Sequence, residues 1–232
     1  MNKTKVFIST MPFLGQRQLA DGTMKDMLET AEYKAIGNPK LNYPEKARFP
    51  IIPVINGYAE AVDNIRVIAV LTDGEESNAK NTRYNYEKHF EPEIKAICAA
   101  KNLSFNSSEI EKIHTLDSED MDTQLKLFSD IAGKINPGEE IYACITYGTK
   151  PMPIILTLAL NYAYKLKKDV SVGCTVYGRY PHLGNGQGTS YIYDTTPLFH
   201  MDSIISKLSE INAKDPAKAI RLMLGLEPAE DD

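Results

Sequence analysis

The residues best suited to chemistry form one short polar segment, Thr146-Tyr147-Gly148-Thr149-Lys150. Its glycine allows the main chain to approach a ligand closely, and its threonine hydroxyls and exposed N–H groups can bind phosphate oxygens. Lys150 adds a mobile positive charge. Because an unpaired cation is unfavourable at the positive end of a helix dipole, a bound anion explains this position better than solvent does. Tyr147 offers a ring for a nucleobase to stack against, if that ring points outward.

The elements on either side would position this segment. The preceding run, Ile141–Ile145, is apolar and rich in β-forming residues, which predicts a strand buried in a parallel sheet. Pro151 then opens a long apolar helix, since proline is tolerated at the first helical position. A polar turn between a strand and a helix is where open α/β sheets bind ligands, and the helix dipole there favours phosphate.

A second candidate region follows the first predicted strand, Lys5–Thr10. A strand that ends in small hydroxyl residues and leads into a glycine-bearing loop is the usual entry to a doubly wound sheet. Capping of a turn or helix would explain these hydroxyls equally well. The ligand contacts that we predict from this region are Ser9, Thr10, Met11, Phe13 and Gln16.

Other signatures of catalysis or cofactor binding are missing from the sequence. There is no G-x-G-x-x-G fingerprint after the first strand, no Walker A lysine motif and no G-x-S-x-G elbow. The alternating glycines of 184–188 precede a strand and are more typical of a hairpin tip than of a loop covering a ligand. No histidine pair has metal-ligand spacing, so we expect neither a metal nor a cofactor. We expect His89 among exposed charges in a helix and His182 in a solvated loop.

Composition narrows the class of protein. The chain has 232 residues, 43% hydrophobic and 25% charged, with a net charge of −5. This acidic balance argues against a protein that coats duplex nucleic acid, but it allows a local basic pocket for a small anion. Cys98, Cys144 and Cys174 lie far apart in apolar runs, as reduced core cysteines of a cytoplasmic protein do. We find no signal peptide or membrane span, and we expect a cytoplasmic location.

Strands and helices alternate along most of the chain. Strands are predicted at 5–10, 65–72, 109–115, 141–145, 170–180 and 191–194. Helices are predicted at 53–62, 83–101, 151–164, 195–211 and 215–225. In the helix at 83–101, Pro92 predicts a kink or a later start. A further helix is predicted to begin at a cap, Asp117 or Ser118, and to end before Pro137. The apolar faces are predicted to be Phe90, Ile94, Ile97 and Cys98 in the second helix and Met121, Leu125, Phe128 and Ile131 in the third.

This order predicts the fold class. It is α/β: a Rossmann-like open, mainly parallel sheet with a closing antiparallel hairpin and C-terminal helices. Residues 21–45 are poorly patterned and hold either an edge hairpin or a long loop. We place one domain at 1–200 and a helical extension with an acidic tail at 201–232.

The segment Ile145–Met152 resembles a motif of the CARF family, the CRISPR-associated Rossmann-fold sensor domains. In that family a strand is followed by a turn of the type T-G-G-T-K or T-H-G-x-R and then by an apolar helix. The difference is Tyr147, where one branch has glycine and another has histidine. Residues 174–178 and 194–198 also resemble the family's closing hairpin and the helix after it. The similarity covers nearly the whole chain.

The resemblance implies a homodimer that binds a cyclic oligoadenylate of four or six adenosines, the messenger made by type III CRISPR complexes. A symmetric ring on a two-fold axis repeats the same contacts in each half. The resemblance also implies that Ser9, Thr10 and the 11–16 loop contact the ring edge, while Thr146–Lys150 hold its phosphates. The apolar helix after Pro151 would form much of the dimer interface.

Three functions remain open. The first is a sensor that signals to a separate effector protein, which the motif and the lack of an effector domain favour. The second is a metal-independent ring nuclease, in which a ribose 2′-hydroxyl attacks its own phosphate in line and Lys150 stabilises the developing charge. The third is an unrelated Rossmann-type enzyme that acts on a nucleotide or sugar phosphate.

Overall fold

Strands and helices alternate in the structure as well. The computed structural model describes residues 3–105, 110–180, 189–210, 214–223 and 225. Its strands are β1 (Lys5–Thr10), β2 (Gln16–Gln18), β3 (Met24–Asp26), β4 (Tyr33–Ile36), β5 (Ile65–Asp73), β6 (Glu111–Leu116), β7 (Glu140–Cys144), β8 (Ser171–Arg179) and β9 (Ser190–Asp194). Its helices are α1 (Ile51–Tyr58), α2 (Ser77–Asn85), α3 (Glu91–Ala100), α4 (Met121–Lys134), α5 (Pro151–Leu166), α6 (Thr196–Glu210) and α7 (Pro216–Met223).

One sheet contains most of these strands, in the order β4-β9-β8-β7-β1-β5-β6. Neighbouring strands are parallel except for the antiparallel pair β8–β9. Strands β2 and β3 pair separately as an antiparallel hairpin. The predicted fold class is therefore confirmed: the protein is α/β with a mainly parallel, Rossmann-like sheet.

The topology defines one crevice. Apart from β4, which joins the far edge of the sheet beside β9, the strands that follow the central strand β1 are added first on one side, as β5 and β6, and later on the other, as β7 and β8. The carboxyl ends of β1 and β7 flank the point at which the winding changes direction, and open α/β sheets bind ligands there. Both segments that the sequence singles out, the loop after Thr10 and the turn at 146–150, begin at this point.

The central strands are buried because they are apolar on both faces. Val6, Phe7 and Ile8 are 0% exposed. The predicted inner face of α3 and the turn before it is confirmed, since Phe90, Ile94, Ile97 and Cys98 are all buried. The three cysteines, all of them in the described part of the chain, are buried as predicted and form no disulfide.

The helix predicted at 83–101 differs from the structure. The helical region begins at Ser77, and a π-helical turn at Tyr86–Phe90 separates α2 from α3. Pro92 is the second residue of α3 and has no N–H to donate to the carbonyl four residues earlier, so a wider turn precedes it. The prediction that His89 is exposed is wrong, since His89 is 8% exposed.

Two further boundaries are corrected. Helix α1 begins and ends earlier than the predicted 53–62. The cap of α4 is Asp120 and not Asp117 or Ser118, because the Asp120 side chain accepts a hydrogen bond from the Thr123 N–H. The predicted apolar face of α4 is also partly wrong: Leu127, Ile131 and Ala132 are buried, whereas Met121 and Leu125 are 66% and 55% exposed.

Residues 21–45 form more than a hairpin or a loop. After the β2–β3 hairpin the chain adds β4 to the main sheet, parallel to β9, so that β4 and not the β8–β9 pair closes this edge. Two compact units divide the chain between Asp194 and Thr195, and the second contains α6 and α7. Among the described residues, no helix combines the length and apolarity needed to cross a membrane. The 184–188 glycines, His182 and the acidic tail lie outside the described residues.

Candidate functional site

The two sequence-predicted regions meet at the crevice. The Thr10 hydroxyl, at the end of β1, donates a 2.8 Å hydrogen bond to the main-chain oxygen of Tyr147. Thr10 is 0% exposed, so this bond forms away from water. It ties the loop after β1 to the turn after β7, and the structure thus brings together the regions that the sequence places 136 residues apart, from Thr10 to Thr146.

The turn at 146–150 presents free main-chain donors. The N–H groups of Gly148, Thr149 and Lys150 donate no hydrogen bond to any described residue. Successive N–H groups in a tight turn form a concavity that binds anions. The first turn of α5 adds little, because Pro151 and Pro153 have no N–H and the Met152 N–H already donates to the Thr149 oxygen. The anion-binding capacity therefore rests on the turn more than on the helix end.

Gly148 is required by the shape of the turn. Its φ of +106° lies in the region that favours glycine, and a Cβ there would lie 2.4 Å from the Met152 sulfur. Thr146 holds the other end of the turn, since its hydroxyl oxygen accepts a 2.9 Å hydrogen bond from the Gly178 N–H on β8. The same Thr146 oxygen accepts a 3.1 Å hydrogen bond from the Cys144 thiol. The turn is therefore fixed to β7, β8 and α5.

Lys150 lies at the exposed edge of this turn. It is the N-cap of α5, with helical main-chain angles, and its side chain makes no capping hydrogen bond. Within the described residues its ammonium group has no ion-pair partner. An accessible cation next to three free N–H groups is a combination that can bind a phosphate oxygen.

Tyr147 points inward, so the condition for stacking a base on its ring is not met. The residue is 8% exposed, and its ring packs against Phe49 at 6.1 Å. Its hydroxyl donates a 2.7 Å hydrogen bond to the main-chain oxygen of Arg48. The hydroxyls of Tyr33 and Tyr180 also lie within hydrogen-bond distance of that oxygen, and the Tyr180 hydroxyl contacts the other two hydroxyls as well. Burial raises the pKa of all three phenols, so they stay protonated and can donate.

An ion pair fixes the position of this shared oxygen. The Arg48 guanidinium lies 3.1 Å from a Glu93 carboxylate oxygen, and the Arg48 N–H donates to the same carboxylate at 3.0 Å. Burial raises the pKa of Glu93, and the contacts with Arg48 oppose that rise. No local sequence pattern indicates this cluster of three tyrosines, Arg48 and Glu93, because its members come from separate segments of the chain.

Two asparagines of α2 hold the loop after β1. Asn81 donates a 2.8 Å hydrogen bond to the Phe13 oxygen, and Asn85 donates to the oxygens of Pro12 and Leu14 at 3.0 and 2.6 Å. The two residues are four apart on one helix and therefore face the same way. They are not among the residues predicted from the sequence. The pattern that could have indicated them is a pair of asparagines four residues apart, neither of which caps the helix.

The loop residues predicted to contact a ligand differ in accessibility. Ser9, Thr10 and Met11 are at most 1% exposed, and the Ser9 hydroxyl donates to the Thr10 oxygen. Phe13 is partly exposed and Gln16 is exposed. The Gln16 amide donates to Asp26 at 2.9 Å and so belongs to the β2–β3 hairpin. Of these five residues, Phe13 and Gln16 are the ones a ligand could touch without a rearrangement.

A small cavity beside Thr149 sets a limit on the ligand. It lies between the ends of β5 and β6 and the first turns of α4 and α5, and its volume is about 10 Å³, enough for one water molecule. Asp117 and Glu119 line it, so an anion is repelled on this side of Thr149. A large anionic ligand would therefore lie over the outer surface of the turn. Among the described residues, no three His, Cys, Asp or Glu side chains gather to hold a metal ion.

Helix α5 exposes an apolar stripe next to the turn. Ile154, Leu158, Tyr162 and Leu166 recur every four residues, so they share one face, and they are 63%, 54%, 42% and 69% exposed. The exposed Met121 and Leu125 lie on α4, which packs beside α5 through a Phe128–Tyr162 ring contact at 5.6 Å. Exposed apolar side chains grouped in this way are typical of interaction surfaces.

Comparison with known proteins does not assign the chain to a family: no family model matches it, and neither does any curated protein sequence.

Proposed function

We propose that the chain is a CARF-type sensor that binds a cyclic oligoadenylate as a homodimer. The observation that carries this proposal is the turn at 146–150, at the carboxyl end of β7. Three N–H groups and the Lys150 ammonium group lie there without a partner among the described residues. Phosphodiesters are anions that such a turn binds well, and the strand-turn-helix context agrees with the resemblance described above.

The apolar stripe on α5 supports the dimer. It begins at Ile154, four residues after Lys150, so a two-fold axis through the stripe brings two copies of the turn toward each other. The cavity beside Thr149 is far too small for a ring of adenosines, which also favours a site completed by a second copy. Type III CRISPR signalling, and a separate effector protein as the recipient of the signal, follow from the resemblance alone.

Calorimetry with rings of four and six adenosines tests the proposal, with AMP and a linear oligoadenylate as controls. We expect one ring per two chains and little heat from the controls. One ring per single chain, or no binding of either ring, would overturn it. Stabilisation of the protein against heat by mononucleotides but by neither ring would favour the unrelated Rossmann-type enzyme.

The same protein with EDTA and the bound ring distinguishes a sensor from a ring nuclease. A sensor leaves the ring intact in chromatography of the products. A metal-independent nuclease opens it to a product with a 2′,3′-cyclic phosphate, because the attacking oxygen is the ribose 2′-hydroxyl.

Light scattering of a Leu158→Glu variant tests the interface, since a carboxylate on the stripe should yield monomers. Val62→Glu is the matched control, because Val62 is 73% exposed and lies away from α5 in the sequence.

A further inference from the structure

The outer face of β4, β9 and β8 carries an ordered set of tyrosines and cations. In the strand register, Lys34 lies opposite Tyr191 and Tyr191 lies opposite Arg179. One step along the same face, Ile36 lies opposite Tyr193 and Tyr193 opposite Tyr177. Alternate residues of a strand share a face, so these two rows form one surface. We call it the tyrosine face; its members are Lys34, Ile36, Tyr177, Arg179, Tyr191 and Tyr193.

The core does not account for this surface. The residues that alternate with it, including Tyr33, Val176 and Ile192, belong to the hydrophobic core on the opposite side of the sheet. Tyr177 is 42% exposed, Tyr191 and Tyr193 are partly exposed, and Lys34 and Arg179 are exposed.

The rings are grouped rather than scattered. The ring centres of Tyr177 and Tyr193 are 6.5 Å apart, and those of Tyr191 and Tyr193 are 6.1 Å apart, with interplanar angles of 31° and 38°. Rings so close together on a sheet provide adjacent surfaces on which neighbouring bases can stack. A cation lies on each side of Tyr191 in the register, where phosphates of the same strand would pass.

We infer that the tyrosine face binds single-stranded nucleic acid, with bases stacked on the tyrosines and phosphates paired with Lys34 and Arg179. The occupant is single-stranded because a duplex hides its base faces. The electrostatic attraction for phosphates is confined to the tyrosine face, since the chain as a whole has a net charge of −5. Glu32, exposed two residues before Lys34, weakens it. This inference does not depend on the proposed function, which concerns the turn at 146–150.

Fluorescence anisotropy with labelled decauridylate RNA, the corresponding DNA and a duplex tests the inference. We expect both single strands to bind and the duplex to bind more weakly. Base–aromatic stacking is worth about 1–3 kcal/mol per base, so Tyr177→Ala should weaken binding about 5- to 150-fold. Tyr43→Ala is the matched control, because Tyr43 is a partly exposed tyrosine that lies outside both the tyrosine face and the apolar stripe of α5. Equal loss in both variants would overturn the inference.

The salt dependence tests the cations. Two phosphate contacts give a slope of about −1.4 in a plot of log affinity against log salt concentration. Lys34→Ala/Arg179→Ala should flatten that slope, whereas Lys46→Ala/Lys95→Ala, with the same change in charge at exposed positions, should not. Glu32→Gln should strengthen binding.

Lys150→Ala separates this site from the proposed cyclic oligoadenylate site. It should leave decauridylate binding unchanged, and loss of that binding would place the oligonucleotide at the turn and overturn the inference. A chain that binds decauridylate but no ring would refute the proposed function alone. No saturable binding of either single strand would refute this inference alone.

Discussion

The Thr10 hydroxyl donates its 2.8 Å hydrogen bond to the Tyr147 oxygen where both residues are almost completely buried. This bond joins the loop after β1 to the turn after β7, across the point at which the sheet changes its direction of winding. The geometry of the candidate site therefore depends on a side chain that a ligand cannot reach. Thr10 acts in positioning the turn, whatever the ligand is.

Replacing Thr10 by valine should remove the hydrogen bond between the loop after β1 and the turn after β7, while the volume of the side chain changes little. The Tyr147 oxygen would lose its buried donor, and an unsatisfied buried group costs about 1–3 kcal/mol. The free energy of unfolding, measured by urea denaturation, should fall by that amount. Ser9→Ala is the control, because the Ser9 hydroxyl is equally buried but donates to the adjacent Thr10 oxygen and not to the turn. Equal losses in the two variants would contradict a special role for the Thr10–Tyr147 bond.

Gly148→Ala should distort the turn. The new methyl group would meet the Met152 side chain, and the positive φ is unfavourable for alanine as well. Gly138→Ala provides a matched comparison, since Gly138 has a φ of +79° and a Cβ added there would have no neighbouring atom within 4 Å. We expect the melting temperature to fall in both variants and to fall further in Gly148→Ala. If the extra loss caused by Gly148→Ala disappears when Met152 is already replaced by alanine, the steric contact with Met152 is its cause.

The sheet could be predicted because its central strands are long apolar runs. The boundaries of β1 agree with the sequence prediction, since Val6, Phe7 and Ile8 are apolar and the polar loop follows at once. Strand β4 escapes prediction because it has four residues, and its alternation of buried and exposed positions is too short to recognise. Its partner β9 is more than 150 residues away, at Tyr33 opposite Ser190. Pairing at that distance leaves no local pattern.

The place of the candidate site could be predicted, but the direction of its side chains could not. The inward turn of Tyr147 depends on the Arg48 oxygen and on Tyr180, which are remote in the sequence. The prediction for His89 fails because it supposes regular helical periodicity. A π-helical turn holds more residues than an α-helical turn, so it changes which side chains face inward.

Lys150→Ala should weaken the proposed binding of a cyclic oligoadenylate while the melting temperature of the free protein stays nearly constant. The reason is that the Lys150 side chain is exposed and makes no ion pair with any residue the structure describes, so its loss removes a ligand contact and no internal one. Calorimetry gives the affinity, and thermal unfolding gives the stability. Lys95→Ala is the control, since Lys95 is also exposed and lies on α3. A large loss of stability with unchanged affinity would make Lys150 structural.

Acidification should loosen the β2–β3 hairpin through His89 and Asp26, whose side chains approach to 3.1 Å. Burial lowers the pKa of His89, and the nearby Arg48 charge lowers it further. The unfolded chain therefore takes up the proton first, near the ordinary histidine pKa of about 6.5. The contribution of His89 to the stability of the fold is therefore present above that pH and is lost as the pH falls through it. Burial alone would raise the pKa of Asp26, but hydrogen bonds from Tyr84 and Gln16 lower it, so its contribution is lost only at a lower pH.

Hydrogen exchange of the β3 amides at pH 7.5 and 5.5, together with urea unfolding, measures this effect. After correction for the slower intrinsic exchange of amides at lower pH, the β3 amides of the wild-type protein should be less protected at pH 5.5, and the protein should unfold at lower urea. His89→Gln should reduce both differences between the two pH values. His200→Gln is the control, because burial also lowers the pKa of His200, which lies on α6 in the second unit. His200→Gln should change the unfolding but not the exchange of β3. An equal pH response of β3 in His89→Gln and wild type would exclude His89 as its source.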